Sequence, residues 1–67
     1  MAAPMFEEAV KREPGNATYH YHLGLAYQKM NDGARAKAEL QKAISVDPKS
    51  AVAEEARRAV AQGDGGS

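Results

Sequence analysis

Apolar residues recur along this 67-residue chain at the spacing of helix turns rather than at alternate positions. The clearest stripe is Val52, Ala53, Ala56 and Val60, which share one face of a helix while glutamate and arginine fill most positions between them. No segment alternates with period two over a useful length. The pattern therefore predicts an all-α protein without strands.

Caps and helix breakers divide the chain into four predicted helices. Pro4 can occupy the first turn of a helix, because its missing N–H would have no partner there, and Pro14 ends that helix. Asn16, Asp32 and Ser50 can each cap the helix that follows. The predicted helices span residues 4–12, 17–30, 33–46 and 51–62, and residues 63–67 are expected to form a flexible tail.

An internal repeat emerges when the chain is compared with itself at an offset of 34 residues. The first helix then falls on the third, and the prolines that follow the two helices coincide. The matching pairs are Phe6 with Leu40, Ala9 with Ala43, Val10 with Ile44, Glu13 with Asp47 and Pro14 with Pro48. The first helix is therefore a shortened copy of the third.

The unit between these copies reads His20-x-x-Leu23-Gly24-x-x-Tyr27, then Ala36-x-x-x-Leu40-x-x-Ala43, then Pro48. This pattern resembles the tetratricopeptide repeat, with His20 where the family often has a large aromatic residue and Leu40 replacing its usual Phe or Tyr. The resemblance implies an α-solenoid of antiparallel helix-turn-helix units. Its expected parts are a partial repeat at residues 4–14 with the second helix only, a complete repeat at residues 17–50 and a C-terminal capping helix at residues 51–62.

Small residues at two repeat positions predict a close approach of two helices. Gly24 and Ala36 lack bulk, so their helices can come together while larger apolar residues fill the space around them. The alternative reading of Gly24 is a tolerated helix glycine, which costs about 1 kcal/mol relative to alanine. The positions expected to form this packing are Leu23, Gly24, Tyr27, Ala36, Leu40, Ala43 and Pro48.

The repeat pattern stops after Ser50. Glu54, Arg57 and Arg58 occupy the positions where a further repeat would need an aromatic residue, Leu and Gly. A polar outer face is typical of the terminal helix of an array, where it provides solubility. The sequence is therefore interpreted as the C-terminal fragment of a bacterial-type tetratricopeptide scaffold protein.

The resemblance also implies a protein-binding surface. In tetratricopeptide arrays the first helix of each repeat lines the concave face, where peptides or partner segments are held. Tyr21 and Leu25 lie four residues apart and form a small apolar stripe, and aromatic residues are favoured at interface hot spots. Whether this stripe binds a partner or packs only on the first helix or on a neighbouring copy stays open. The residues expected on this face are Thr18, Tyr21, His22, Leu25, Gln28 and Lys29.

The small core motivates an alternative function as a self-assembling unit. The chain has fourteen alanines, whereas Leu, Ile, Val and Phe together number nine, and helical arrays normally need about three repeats for stability. The exposed edge of the first helix is therefore predicted to meet a second copy and to form a homodimer or a higher homo-oligomer. The residues expected at this edge are Met5, Phe6 and Val10.

Charge and motif content argue against other classes of protein. Nine basic and nine acidic residues are interspersed, so no nucleic-acid partner is indicated. His20 and His22 would point about 200° apart around a helix and cannot share a metal, and no catalytic or phosphate-binding motif is present. Neither an enzyme nor a cofactor is therefore expected. The chain lacks a signal peptide and a membrane-spanning apolar run, so a soluble protein of undetermined compartment, cytoplasmic or periplasmic, is expected.

Overall fold

The computed structural model describes residues 3–65, which form four helices and no strand. The helices are α1 (Ala3–Arg12), α2 (Ala17–Lys29), α3 (Gly33–Val46) and α4 (Ala51–Gly65). The prediction of an all-α helical repeat is thereby confirmed.

The largest difference from the predicted bounds is at the C-terminal end. Helix α4 continues to Gly65, so residues 63–65, which were predicted to begin the tail, have a helical backbone. The rest of the predicted tail, residues 66–67, lies outside the described residues.

Each predicted cap residue accepts a hydrogen bond from the backbone N–H three positions on. Asn16 Oδ1 accepts from the N–H of residue 19 at 3.2 Å, and Asp32 Oδ1 accepts from that of residue 35 at 3.2 Å. Ser50 Oγ accepts from the N–H of residue 53 at 3.0 Å. These short polar side chains supply an acceptor to a helix end that lacks one, which is why α2, α3 and α4 begin where they do.

A tight turn joins α2 to α3. Asn31 has a φ of 61°, a left-handed conformation that asparagine tolerates better than most residues. The N–H of Asn31 donates to the Gln28 carbonyl at 3.0 Å, and the N–H of Asp32 donates to the Tyr27 carbonyl at 2.9 Å. This pair of bonds is the Schellman motif, which satisfies the last carbonyls of α2. The chain therefore reverses at once and lays α3 against α2.

The core consists of two apolar clusters. In the first cluster, residues of α2 and α3 are buried and two side chains of α1 pack against them; its members are Leu23, Ala26, Tyr27, Ala36, Phe6 and Val10. The second cluster joins α2, α3 and α4 through Leu40, Ala43, Ala56, Ala59, Tyr21, Leu25, Ile44, Val52 and Val60. Alanines dominate the α4 side, so α4 lies close to the rest of the molecule.

The closest approach of α2 to α3 lies at Gly24. A methyl group on Gly24 would lie 2.7 Å from Leu40 Cγ and 3.2 Å from the Ala36 carbonyl oxygen. Leu40 is completely buried, so it has no free space into which to move. Six of the seven residues expected to form the repeat packing are buried, whereas Pro48 is exposed in the turn between α3 and α4.

Candidate partner-binding groove

A groove runs between α2 and α4, where the first helix of the complete repeat meets the capping helix. Its cavity measures about 210 Å³. The residues that line it are Tyr21, Leu25 and Gln28 from α2 and Glu55, Arg58, Ala59 and Gln62 from α4. Apolar side chains lie along the floor, and polar or charged side chains of both helices surround them.

Tyr21 and Leu25 are anchored in the floor of the groove. Both are half-buried and pack against the second cluster. Burial raises the pKa of the Tyr21 hydroxyl, and the neighbouring Glu55 carboxylate, which accepts its hydrogen bond, raises it further. The two residues therefore have a packing role, and one face of each also remains available at the groove.

Gln28 fixes the distance between the two helices. Its Nε2 donates a hydrogen bond to the Ala59 carbonyl oxygen at 3.1 Å. This bond joins the last turn of α2 to the middle of α4, so the groove is held open by contacts within the chain. A preformed surface loses less conformational entropy on binding than a mobile one does.

The structure brings together only three of the six residues predicted for the concave face. Tyr21, Leu25 and Gln28 line the groove, whereas Lys29 is exposed and does not line it. Thr18 lies in a separate cleft between the α1–α2 and α3–α4 turns, with a volume of about 640 Å³. His22 stacks on the Phe6 ring of α1, with ring centroids 5.4 Å apart, and therefore covers the edge of the first cluster.

Sequence reasoning missed the α4 side of the groove. The signal that could have found it is the 34-residue offset, which carries Tyr21 to Glu55, Leu25 to Ala59 and Gln28 to Gln62. These α4 residues line the groove opposite their counterparts. The charge pattern of α4 favours a solvent-exposed outer face, so the correspondence between the groove residues of α2 and α4 was not recognised.

The buried histidine serves the fold. His20 is 4% exposed, and its Nδ1 lies 2.9 Å from Glu39 Oε1 while its Nε2 lies 2.7 Å from the Pro14 carbonyl oxygen. The ring thereby joins the α1–α2 turn to α3. Among the residues whose side chains are described, no cluster of three or more histidine or acidic side chains is arranged to hold a metal ion.

The predicted self-association edge is divided between the two sides of α1. Phe6 and Val10 are half-buried against the first cluster, because α2 covers that side of the helix. Met5, by contrast, is 75% exposed. It belongs to a separate concavity of about 540 Å³ on the other side of α1, with Glu8, Ala9, Arg12, Glu13 and Tyr19.

Comparison with known protein families agrees with the repeat geometry. A family profile described as "Tetratricopeptide repeat" matches residues 2–63. The chain belongs to the tetratricopeptide repeat family. Repeats of this family generally mediate protein–protein interactions and are not catalytic.

One curated relative has a significant match to this tetratricopeptide repeat chain. It is described as "FK506-binding protein-like", from Rattus norvegicus, and is 38% identical over 64 residues, which cover 94% of the chain. The match covers only 18% of the rat protein. No solved structure matches the chain significantly.

Bacterial origin and the assignment as a C-terminal fragment stay predictions. No helix within residues 3–65 is long and apolar enough to cross a membrane.

Proposed function

We propose that this chain is a non-catalytic interaction module that holds an extended peptide or partner segment in the groove between α2 and α4. The groove itself carries the proposal, because two helices contribute an apolar floor and a polar rim at matching repeat positions. Its volume of about 210 Å³ suits a bulky side chain of a peptide. Pockets for small-molecule ligands are usually larger, about 300–1,000 Å³.

Substitutions at the rim of the groove test binding without disturbing the core. Tyr21 and Leu25 pack against the second cluster, so replacing them would disturb folding as well as binding. Gln62 is exposed and lines the groove from α4, and Gln41 is exposed on α3 and does not line it. The same substitution at these two positions therefore separates the groove from the rest of the surface.

The experiment selects peptides that bind the full chain from a displayed random library and measures their affinity by fluorescence anisotropy. Gln62→Arg places a bulky cation in the groove and is expected to weaken binding at least about fivefold, or about 1 kcal/mol. Gln41→Arg is expected to leave the affinity unchanged. Failure to select any binding peptide, or equal affinities for the two variants, would contradict the proposal.

The exposed part of α1 supports a second candidate function, self-association. The observation that favours it is the concavity on the outer side of α1, where Met5 projects into solvent. Self-association through this side and peptide binding in the groove use different surfaces, so one molecule can do both.

A further inference from the structure

Within the residues that the structure describes, no helix covers the outer face of α1, whereas the equivalent face of α3 is covered. The 34-residue offset carries Met5 to Glu39 and Ala9 to Ala43. On α3 both positions are covered by neighbouring helices: the Glu39 side chain is 13% exposed and pairs with His20 of α2, and Ala43 is fully buried in the second cluster, to which α4 contributes. On α1, Met5 is 75% exposed. The internal repeat thus shows that a face of this kind packs against another helix.

Helix α4 of another copy cannot cover this face in the way that α2 covers α3. The 34-residue offset matches Arg58 of α4 with Gly24 of α2. At Gly24, even a methyl group would lie 2.7 Å from Leu40 Cγ of α3. The α1 counterpart of Leu40 is Phe6, a larger side chain that α2 already covers in part, so Phe6 cannot move away to admit Arg58. A head-to-tail array in which α4 of one copy completes the partial repeat of the next is therefore sterically blocked.

The outer face of α1 is instead complementary to itself. Glu8 and Arg12 are exposed, four residues apart, and line the concavity together with Met5. When two such helices pair antiparallel about a twofold axis level with residue 10, Glu8 of each copy lies opposite Arg12 of the other. Ala9 permits close approach, and Met5 of each copy reaches the end of the concavity that holds Tyr19 of the other, a favourable contact of sulfur with an aromatic ring.

We propose that the occupant of this face is α1 of a second copy, which forms a twofold antiparallel dimer. The proposal rests on the self-association candidate and is independent of the groove between α2 and α4. A single short helix per copy buries less surface than stable interfaces do, so the dimer is weak, with a dissociation constant on the order of 100 µM.

Sedimentation velocity across a concentration series from about 10 µM to about 1 mM tests the proposal, since this range brackets that dissociation constant. The chain is expected to pass from monomer to dimer, without larger species. Met5→Asp is expected to abolish the dimer at every concentration, and the exposure of Met5 makes the fold insensitive to this change. Circular dichroism of each variant checks that the helices are retained.

Charge reversals test the antiparallel register. Glu8→Arg alone and Arg12→Glu alone place like charges opposite each other and are expected to weaken the dimer at least about tenfold, whereas the double variant E8R/R12E restores it to within about threefold. Lys49→Glu, in the exposed turn between α3 and α4, is the matched control and is expected to leave dimerisation unchanged. A chain that stays monomeric at the highest concentration, that forms open-ended polymers, or that is not restored by the double reversal would overturn the proposal.

Each of the two functional proposals can be tested independently of the other. Peptide binding measured on the Met5→Asp variant tests the groove in a monomer, and dimerisation measured on the Gln62→Arg variant tests α1 with the groove altered. Weaker peptide binding in Gln62→Arg with an unchanged dimer is the expected pattern. Simultaneous loss of both activities in either variant would contradict the assignment of two independent surfaces.

Discussion

The α1–α2 turn and the α3–α4 turn occupy equivalent repeat positions, yet different side chains hold them. In each turn a side chain from the following helix meets the proline carbonyl oxygen: His20 Nε2 lies 2.7 Å from that of Pro14, and Arg57 Nη2 donates to that of Pro48 at 3.0 Å. His20 is buried, whereas Arg57 is exposed. The same backbone arrangement thus tolerates either a buried ring or a solvated guanidinium.

The reason for the difference is the helix that follows. After the first turn, α2 is covered by α3, and Glu39 of α3 pairs with the second nitrogen of His20. After the second turn, no further helix within the described residues covers α4, so Arg57 keeps its charge in water. In both repeats the proline carbonyl oxygen therefore needs a hydrogen-bond donor. Whether that donor is buried depends on whether another helix packs over it.

The largest expected effect comes from removing the two partners of the proline carbonyls. His20→Ala leaves the Pro14 carbonyl without its side-chain partner and the nearly buried Glu39 carboxylate with only the exposed Lys42, 3.4 Å away, and we expect it to cost about 2–3 kcal/mol of unfolding free energy. Arg57→Ala removes an exposed bond and is expected to cost less than about 0.5 kcal/mol. Urea denaturation followed by circular dichroism measures both. Equal losses would show that the two turns are held alike.

The second prediction compares Gly24, where α2 closely approaches α3, with Arg58, the equivalent position in α4. Gly24→Ala forces a methyl group against the buried Leu40, and overpacking of this kind costs about 1–3 kcal/mol. The gain in helix propensity recovers about 1 kcal/mol, so a net loss of about 0–2 kcal/mol is expected. Arg58→Ala is expected to change stability by less than about 0.5 kcal/mol.

Thermal denaturation of the two variants, with urea titration as a second measurement, distinguishes the two readings of Gly24. A tolerated helix glycine would become more stable on replacement by alanine, because alanine has the higher helix propensity. A stabilised Gly24→Ala variant would therefore contradict the packing role. It would also remove the steric argument that α4 cannot dock on α1.

The helices were predictable from the sequence because their start signals are local. Asn16, Asp32 and Ser50 each act within three residues of their own position, and a cap requires no knowledge of the fold. The α2–α3 packing was predictable from the repeat. What sequence reasoning could not supply was the pairing of His20 with Glu39, 19 residues apart, because the register of two packed helices sets it.

The site was harder to predict than the fold for a physical reason. A helix in an array has more than one packing face, so Phe6 and Val10, which belong to a helix at the edge of the described chain, are still covered by α2. The large apolar side chain that this helix does expose is that of Met5, one position from Phe6. On the other side of the molecule, the pattern predicts a solvent-exposed outer face for Glu55 and Arg58, yet both line the groove, and polar residues commonly form the rim of such a surface.

The smallest expected effect concerns a hydrogen bond that joins α1 to α2 and has no counterpart between α3 and α4. The Tyr27 hydroxyl donates to Glu7 and ties α2 to α1, whereas the positions 34 residues on, Gln41 and Ala61, cannot form the same bond between α3 and α4. This bond to Glu7 raises the pKa of Tyr27 above its ordinary value of 10.0, and burial raises it further. Tyr27→Phe is expected to cost about 1 kcal/mol at neutral pH.

The pH dependence of that loss identifies its cause. A raised pKa in the folded state means that folding favours the protonated hydroxyl, so the stabilisation is complete below pH 10.0 and is lost as the pH rises through the folded-state value. The difference between Tyr27→Phe and the unchanged chain, measured by urea denaturation, should therefore shrink above pH 10.0. Tyr21 is present in both chains, and its raised pKa cancels from the comparison. Phenylalanine keeps the ring packing of Tyr27, so a difference that stays constant above pH 10.0 would mean that the loss does not come from the bond between the Tyr27 hydroxyl and Glu7.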